Sequence, residues 1–149
     1  MTDQNDDLML DETLDDLADL PTTAPFPNGA HFAKMFITKV VKPGKPVSYA
    51  VKFVYQRVGE LSDPTAVPPK EGDEAVVFLH TRKKDGTPNE IGQGQLKMLV
   101  EPTGAALNTR SVNEIITSIK DGVDVLIVTR VRKQDGYPDS MAVDKFSLA

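Results

Sequence analysis

The chain has 149 residues, no cysteine and a formal net charge of −5. This length suits one domain with its own core. The lack of cysteine excludes disulfides, thiolate zinc sites and cysteine nucleophiles. Because the N-terminus is acidic and no run approaches ~20 apolar residues, we expect neither a secretory signal nor a membrane-spanning helix, and we predict a cytoplasmic protein.

Charge divides the chain into two parts. Residues 1–29 hold eight acidic residues and no basic one, whereas all 17 Lys and Arg residues follow Gly29. The remaining 14 acidic residues face those 17 basic ones, so the body is mildly basic beside a strongly acidic segment. We predict an acidic tail over 1–28, disordered or helical, and a ligand-binding domain over 29–149.

The acidic segment carries a second pattern. Leu10, Leu14 and Leu17 recur at intervals of four and three residues and would form a narrow apolar stripe on a helix. Such a stripe is typical of a segment that docks into a groove of a partner protein. The three prolines between residues 21 and 27 predict a stiff, extended linker, which places the domain boundary near Asn28 and Gly29.

The body begins with three predicted strands. Residues 30–41, 47–58 and 75–81 are rich in β-branched and aromatic residues, and a loop with three prolines, 59–73, separates the last two. The second strand alternates, so one of its faces should be buried and the other wet. The predicted buried face consists of Val47, Tyr49, Val51, Phe53 and Tyr55, and the wet face of Ser48, Lys52 and Gln56.

Helical spacing follows the third strand. Apolar residues recur at intervals of three and four within 96–100 and 112–119, and Pro102 and Gly104 predict a break between two short helices. Ser111 is a predicted N-cap. Two further strands, over 123–131 and 141–148, are joined by a turn that contains Asp135-Gly136, and Gly122 is the predicted stop of the second helix.

This order of three strands, helices and two strands is that of an oligonucleotide/oligosaccharide-binding (OB) barrel. The predicted fold is therefore mainly β, a five-stranded OB-like barrel with one or two helices between strands 3 and 4. Other small α+β folds share the order of elements.

The sequence offers little for catalysis. His31 and His80 fall on different predicted strands, and no hydrolase, zinc-protease or P-loop motif is present. Gly92-Gln93-Gly94-Gln95 lacks the phosphate-binding lysine and is interpreted as a close turn before a helix. We expect a protein that is not an enzyme and uses no cofactor or metal, with a Mg²⁺-dependent nuclease as an alternative.

The basic residues are better organised. An OB barrel binds its ligand around strands 2 and 3 and the loops 1–2 and 4–5, and all these regions are basic here. Cations there would neutralise phosphates, and aromatic rings would stack on bases. The candidate phosphate contacts are Lys39, Lys42, Lys45, Lys52, Arg57, Arg82, Lys83, Lys84, Arg130, Arg132 and Lys133, and the candidate stacking residues are Tyr137, Tyr49 and Tyr55. Core packing is the alternative for Tyr49 and Tyr55, and a lid over the barrel end for Tyr137.

Four segments carry a family resemblance. They are Pro-Asn-Gly-Ala-His (27–31), Pro-Pro-Lys-Glu-Gly-Asp-Glu (68–74), Gly-Gln-Gly-Gln-Leu-Lys (92–97) and Val-Asp-Lys-Phe-Ser (143–147). With them, residues 25–149 resemble small bacteriophage single-stranded DNA-binding proteins with an OB barrel. The resemblance implies a replication or recombination accessory that coats single strands without sequence preference. That class generally keeps its acidic, partner-recruiting tail at the C-terminus, whereas the acids come first here.

We therefore expect a non-enzymatic, cytoplasmic protein that binds single-stranded DNA, in the host cytoplasm if a phage encodes it. Its acidic tail would recruit replication or recombination proteins. The alternative is a protein-interaction module, such as a phage adaptor, inhibitor or virion accessory protein, that docks through Leu10, Leu14 and Leu17.

Overall fold

A computed structural model describes residues 24–133, 135–136 and 138–149. Within them the chain forms β1 (Gly29–Val40), β2 (Ser48–Leu61), β3 (Glu74–His80), α1 (Glu90–Leu107), α2 (Val112–Ser118), β4 (Val123–Arg132) and β5 (Ser140–Leu148). The predicted order of elements is confirmed, and the protein is mainly β. Neither α1 nor α2 is long and apolar enough to cross a membrane.

All five strands belong to one antiparallel sheet with the order β3-β2-β1-β4-β5. β1 is central and pairs with β2 along its whole length, from Gly29 opposite Leu61 to Val40 opposite Ser48. β3 and β5 are the edge strands, and no backbone ladder joins them in the described chain. The sheet is therefore not closed. The two edges contact each other, and α1 contacts both.

One face of the sheet packs against the helices and forms the core. Alternate residues of β1 and β2, such as Met35, Val51 and Phe53, are fully buried because successive side chains of a strand point to opposite faces. Leu99 of α1 and Ile115 of α2 pack against them. The opposite face, called the outer face below, carries Lys52 and Gln56 as predicted.

The core extends upstream of the predicted domain boundary. Phe26 is only 1% exposed and packs edge-on against the rings of His31 and Tyr55. Ala24 donates its backbone N–H to the carbonyl of Glu74. Residues 24–28, called the N-terminal arm below, therefore belong to the folded unit, although the predicted domain began at residue 29.

The helices differ from the prediction in one respect. α1 continues through Pro102 and Gly104, where a break was predicted, and is capped by Asn108, which has a left-handed conformation. The predicted break is wrong because Gly104 lies against Ile115 of α2, so that the glycine allows close helix packing. α2 begins as predicted, with the Ser111 side chain accepting a hydrogen bond from the backbone N–H of Glu114.

Candidate functional site

A basic cleft of about 650 Å³ lies between the β1–β2 loop and the segment that joins β3 to α1. The two loops meet because Val40, the last residue of β1, and His80, the last residue of β3, both pair with Ser48 of β2 at the same end of the sheet. The cleft is lined by five Lys and Arg residues together with Val40, Ser48, His80 and Asn89. The basic residues are Lys42, Lys45, Arg82, Lys83 and Lys84.

Local hydrogen bonds shape the segment after β3. The Asp85 carboxylate accepts from the backbone N–H and the hydroxyl of Thr87, at 2.9 and 2.6 Å, and these bonds lower the pKa of Asp85. Gly86, at φ +87°, allows the tight turn, and its carbonyl accepts a hydrogen bond from Arg82. The turn thus presents Lys83 and Lys84 to solvent, with the nearest acid bonded within the turn.

The far wall of the cleft depends on α1. Asn89 is the N-cap of this helix, and its side chain accepts a hydrogen bond from the backbone N–H of Gly92. Gly92 lies directly against the backbone of His80, where a Cβ atom would overlap the carbonyl oxygen. The first turn of α1 therefore packs on the end of β3 and holds the intervening basic segment beside the sheet.

Among the described residues, none of the five basic residues of the cleft forms a salt bridge. The described ion pairs are Lys52 with Glu74, Lys97 with Glu101 and Arg130 with Asp144, all outside the cleft. Five cationic groups around one concave surface produce a positive potential there. The cleft is therefore suited to a ligand with several negative charges.

Aromatic rings on the outer face adjoin the cleft. Phe78 of β3 is 63% exposed and lies opposite Ala50, two residues along β2 from the cleft residue Ser48. Phe36 and Phe32 follow on the outer face of β1. Both rings have a cation above them, with Lys52 Nζ 5.1 Å from the Phe36 centroid and the Arg57 guanidinium carbon 3.9 Å from that of Phe32.

The basic residues of the β4–β5 region do not join the cleft. Gly29 pairs with Thr129, so β4 leaves β1 at the end opposite to Val40. Arg132 and Lys133 are exposed at that far end, and Arg130 forms two 3.2 Å hydrogen bonds with the Asp144 carboxylate. The basic residues predicted in the loops 1–2 and 4–5 therefore do not meet, because the length of β1 separates the two loops.

The predicted aromatic contacts also change. Tyr55 is 2% exposed and its hydroxyl contacts His31 Nδ1 at 3.0 Å, so a role in stacking is wrong for this residue. Burial raises the pKa of the Tyr55 hydroxyl. Tyr49 is half-buried and packs against the core. Lys39 is exposed, but it alternates to the other face of β1 from Phe36. Four predicted contacts, Leu10, Leu14, Leu17 and Tyr137, lie outside the described residues.

No protein-family model matches this chain. The curated proteins contain no match either. Within the described residues, no three His, Asp or Glu side chains are grouped so that they could hold a metal ion.

Phe32, Phe36 and Phe78 were absent from the predicted site, although the sequence contains a signal for them. In β1, Phe32, Lys34 and Phe36 alternate with the buried Ala33, Met35 and Ile37, and in β3 Phe78 precedes the buried Leu79. The alternation that predicted the wet face of strand 2 also applies to strands 1 and 3. It places these three phenylalanines on the wet face. Aromatic residues there are the ones available to a ligand.

Proposed function

We propose that this protein binds single-stranded DNA without sequence preference, in the basic cleft and on the neighbouring outer face. The observation that carries the proposal is the continuity between five cations and the exposed ring of Phe78. Cations replace counterions along a phosphate backbone, and an exposed ring stacks on a base. The combination favours a single strand because the bases of a duplex are already stacked and paired.

The strand order supports an OB-like barrel. β1 lies between β2 and β4, and the edge strands β3 and β5 contact each other and α1. We propose that this contact closes the barrel without a regular backbone ladder. The outer face of β2 and β3, with the β1–β2 loop, is then the ligand surface of such a barrel. A role in phage replication or recombination follows from the resemblance of the sequence and is part of the proposal.

The test is fluorescence anisotropy of a labelled dT30 oligonucleotide, titrated with protein at two salt concentrations. We expect salt-sensitive binding that a duplex competitor displaces poorly. Phe78→Ala should weaken binding roughly five- to a hundredfold, because stacking contributes ~1–3 kcal/mol per base and ~1.4 kcal/mol corresponds to a factor of ten. Its exposed position should leave the melting temperature unchanged.

Val67→Ala is the matched control, since Val67 is 86% exposed and lies in the β2–β3 loop. It removes a similar kind of exposed apolar surface away from the cleft and should bind as the wild type does. The proposal fails if the wild type does not bind dT30 at low salt, or if duplex competes as well as single strand. Pull-downs with residues 1–23 as bait would then test the interaction module instead.

A further inference from the structure

We infer that a bound single strand lies lengthwise along β1, from the basic cleft to a second cationic site at the opposite end of the sheet. This inference rests on the proposed function and adds the direction and the minimal length of the ligand. The second site, called the distal basic end below, consists of Arg132 and Lys133. Both are exposed, and neither is in a salt bridge with another described residue.

The register defines the span between the two sites. β1 runs from Val40 beside the cleft to Gly29, and β4 continues from Thr129, opposite Gly29, to Arg132. At ~3.3 Å per residue the two sites are roughly 46 Å apart along the strands. A stacked strand advances ~3.4 Å per nucleotide and an extended one about twice that, so roughly seven to fourteen nucleotides are needed to reach both.

The outer face between the two sites carries cations and rings in successive rows. From the cleft towards the distal basic end, the rows contain Phe78, then Phe36 with Lys52, then Lys34, then Phe32 with Arg57. Lys145 of β5 follows, opposite Val128 of β4. A phosphate backbone that follows β1 therefore meets a positive charge at nearly every step.

Three carboxylates on this face are already engaged, whereas Glu60 of β2, opposite Ala30, is exposed and forms no salt bridge with another described residue. Glu74 lies 3.9 Å from Lys52, and Asp124 accepts a 2.8 Å hydrogen bond from the Gln56 amide. Asp144 is bonded to Arg130. These carboxylates lie on β3, β4 and β5, to the sides of β1. The central strand itself has no acidic residue between Gly29 and Val40, so a strand of DNA along β1 meets the least repulsion.

The experiment compares two charge-neutralising variants on two oligonucleotides. Arg132→Gln/Lys133→Gln removes the distal basic end, and Lys42→Gln/Lys45→Gln removes two charges from the cleft. Dissociation constants for dT16 and dT5 are measured at several salt concentrations, with dT5 as a competitor of labelled dT16. The distal variant should weaken dT16 binding and leave dT5 binding unaffected. For dT16, the slope of log K against log salt concentration should decrease in magnitude by about 1.4, because each of the two lost phosphate contacts contributes ~0.7. The cleft variant should weaken both.

Lys97→Gln/Arg110→Gln loses the same charge on α1 and directly after it, on the helical side of the molecule, and is the control. If the distal variant behaves like this control on dT16, or weakens dT5 as much as dT16, the lengthwise path is wrong even though DNA binding stands. If the wild type binds neither oligonucleotide, the proposed function fails and the path with it. Unchanged melting temperatures are expected, because all six substituted side chains are exposed.

Discussion

His31 is fully buried at the end of the sheet that contacts the N-terminal arm. Its Nε2 lies 2.6 Å from the carbonyl oxygen of Pro27, which can only accept, so Nε2 carries the proton. In the neutral ring Nδ1 then accepts from the Tyr55 hydroxyl at 3.0 Å. Thr129 also donates to the Pro27 carbonyl, at 3.0 Å. A single neutral histidine thus connects the arm to the core.

Burial lowers the pKa of His31, against the opposite effect of the hydrogen bond to Pro27. The unfolded chain therefore binds more protons than the folded one just below the ordinary histidine pKa of ~6.5, and stability should fall as pH decreases through that value. The pKa values of the exposed carboxyls Asp63 and Asp85 are also lowered, but these groups change the pH dependence of stability only at a more acidic pH. Urea unfolding between pH 8 and pH 5 measures the effect.

His80 provides the control for this prediction, because it is exposed. His80→Gln should keep the decrease in stability, whereas His31→Gln should remove it and cost ~1–3 kcal/mol at pH 8 through the loss of buried hydrogen bonds. A flat profile in the wild type would contradict the role assigned to His31.

At the scale of elements, two glycines in the first turns of α1 differ in their surroundings. Gly92 touches the backbone of His80, while a Cβ atom on Gly94 would have no neighbour within 4 Å. Gly92→Ala should therefore destabilise the protein by ~1–3 kcal/mol through overpacking. Gly94→Ala should stabilise it by ~0.5–1 kcal/mol, since alanine is the better helix former. Urea unfolding of both variants checks the pair, and equal effects would contradict the close contact of α1 with β3.

Most elements could be predicted because their patterns are local. The alternation of residues 47–55 defined the buried face of β2, and Ser111 marked the start of α2. The continuity of α1 through Pro102 could not be predicted in this way. It depends on the packing of Gly104 against Ile115, a contact between two helices that no local pattern contains.

At the scale of the whole molecule, the site was only partly predictable for the same reason. The basic loops were visible in the sequence, but their positions depend on which strands pair and in which register. The strand order makes the β3–α1 segment the neighbour of Lys42 and places Lys133 at the other end of β1. Likewise, Tyr55 and Phe36 are both aromatic strand residues. Only the packing of the helices on one face decides that Tyr55 is buried and Phe36 is not.

The acidic segment and the N-terminal arm should contribute differently to the molecule. Removing residues 1–23 deletes eight of the 22 acidic residues and none of the 17 basic ones, which changes the formal net charge from −5 to +3. Long-range repulsion of DNA then decreases, so the chain 24–149 should bind dT30 as tightly as the full chain or more tightly, with the larger gain at low salt.

A shorter chain, 28–149, distinguishes the effect of removing acidic charge from the effect of removing the packed residues of the N-terminal arm. It loses the same eight carboxylates but also Phe26, which is 1% exposed, and the Pro27 carbonyl that accepts from His31 and Thr129. Loss of a buried phenylalanine costs ~3–5 kcal/mol, so this chain should melt well below 24–149 although the two have equal formal charge. Anisotropy and thermal unfolding of both truncations measure the difference. Equal melting temperatures would show that the arm is not part of the folded unit, whereas weaker DNA binding by 24–149 would show that the acidic segment contributes to binding.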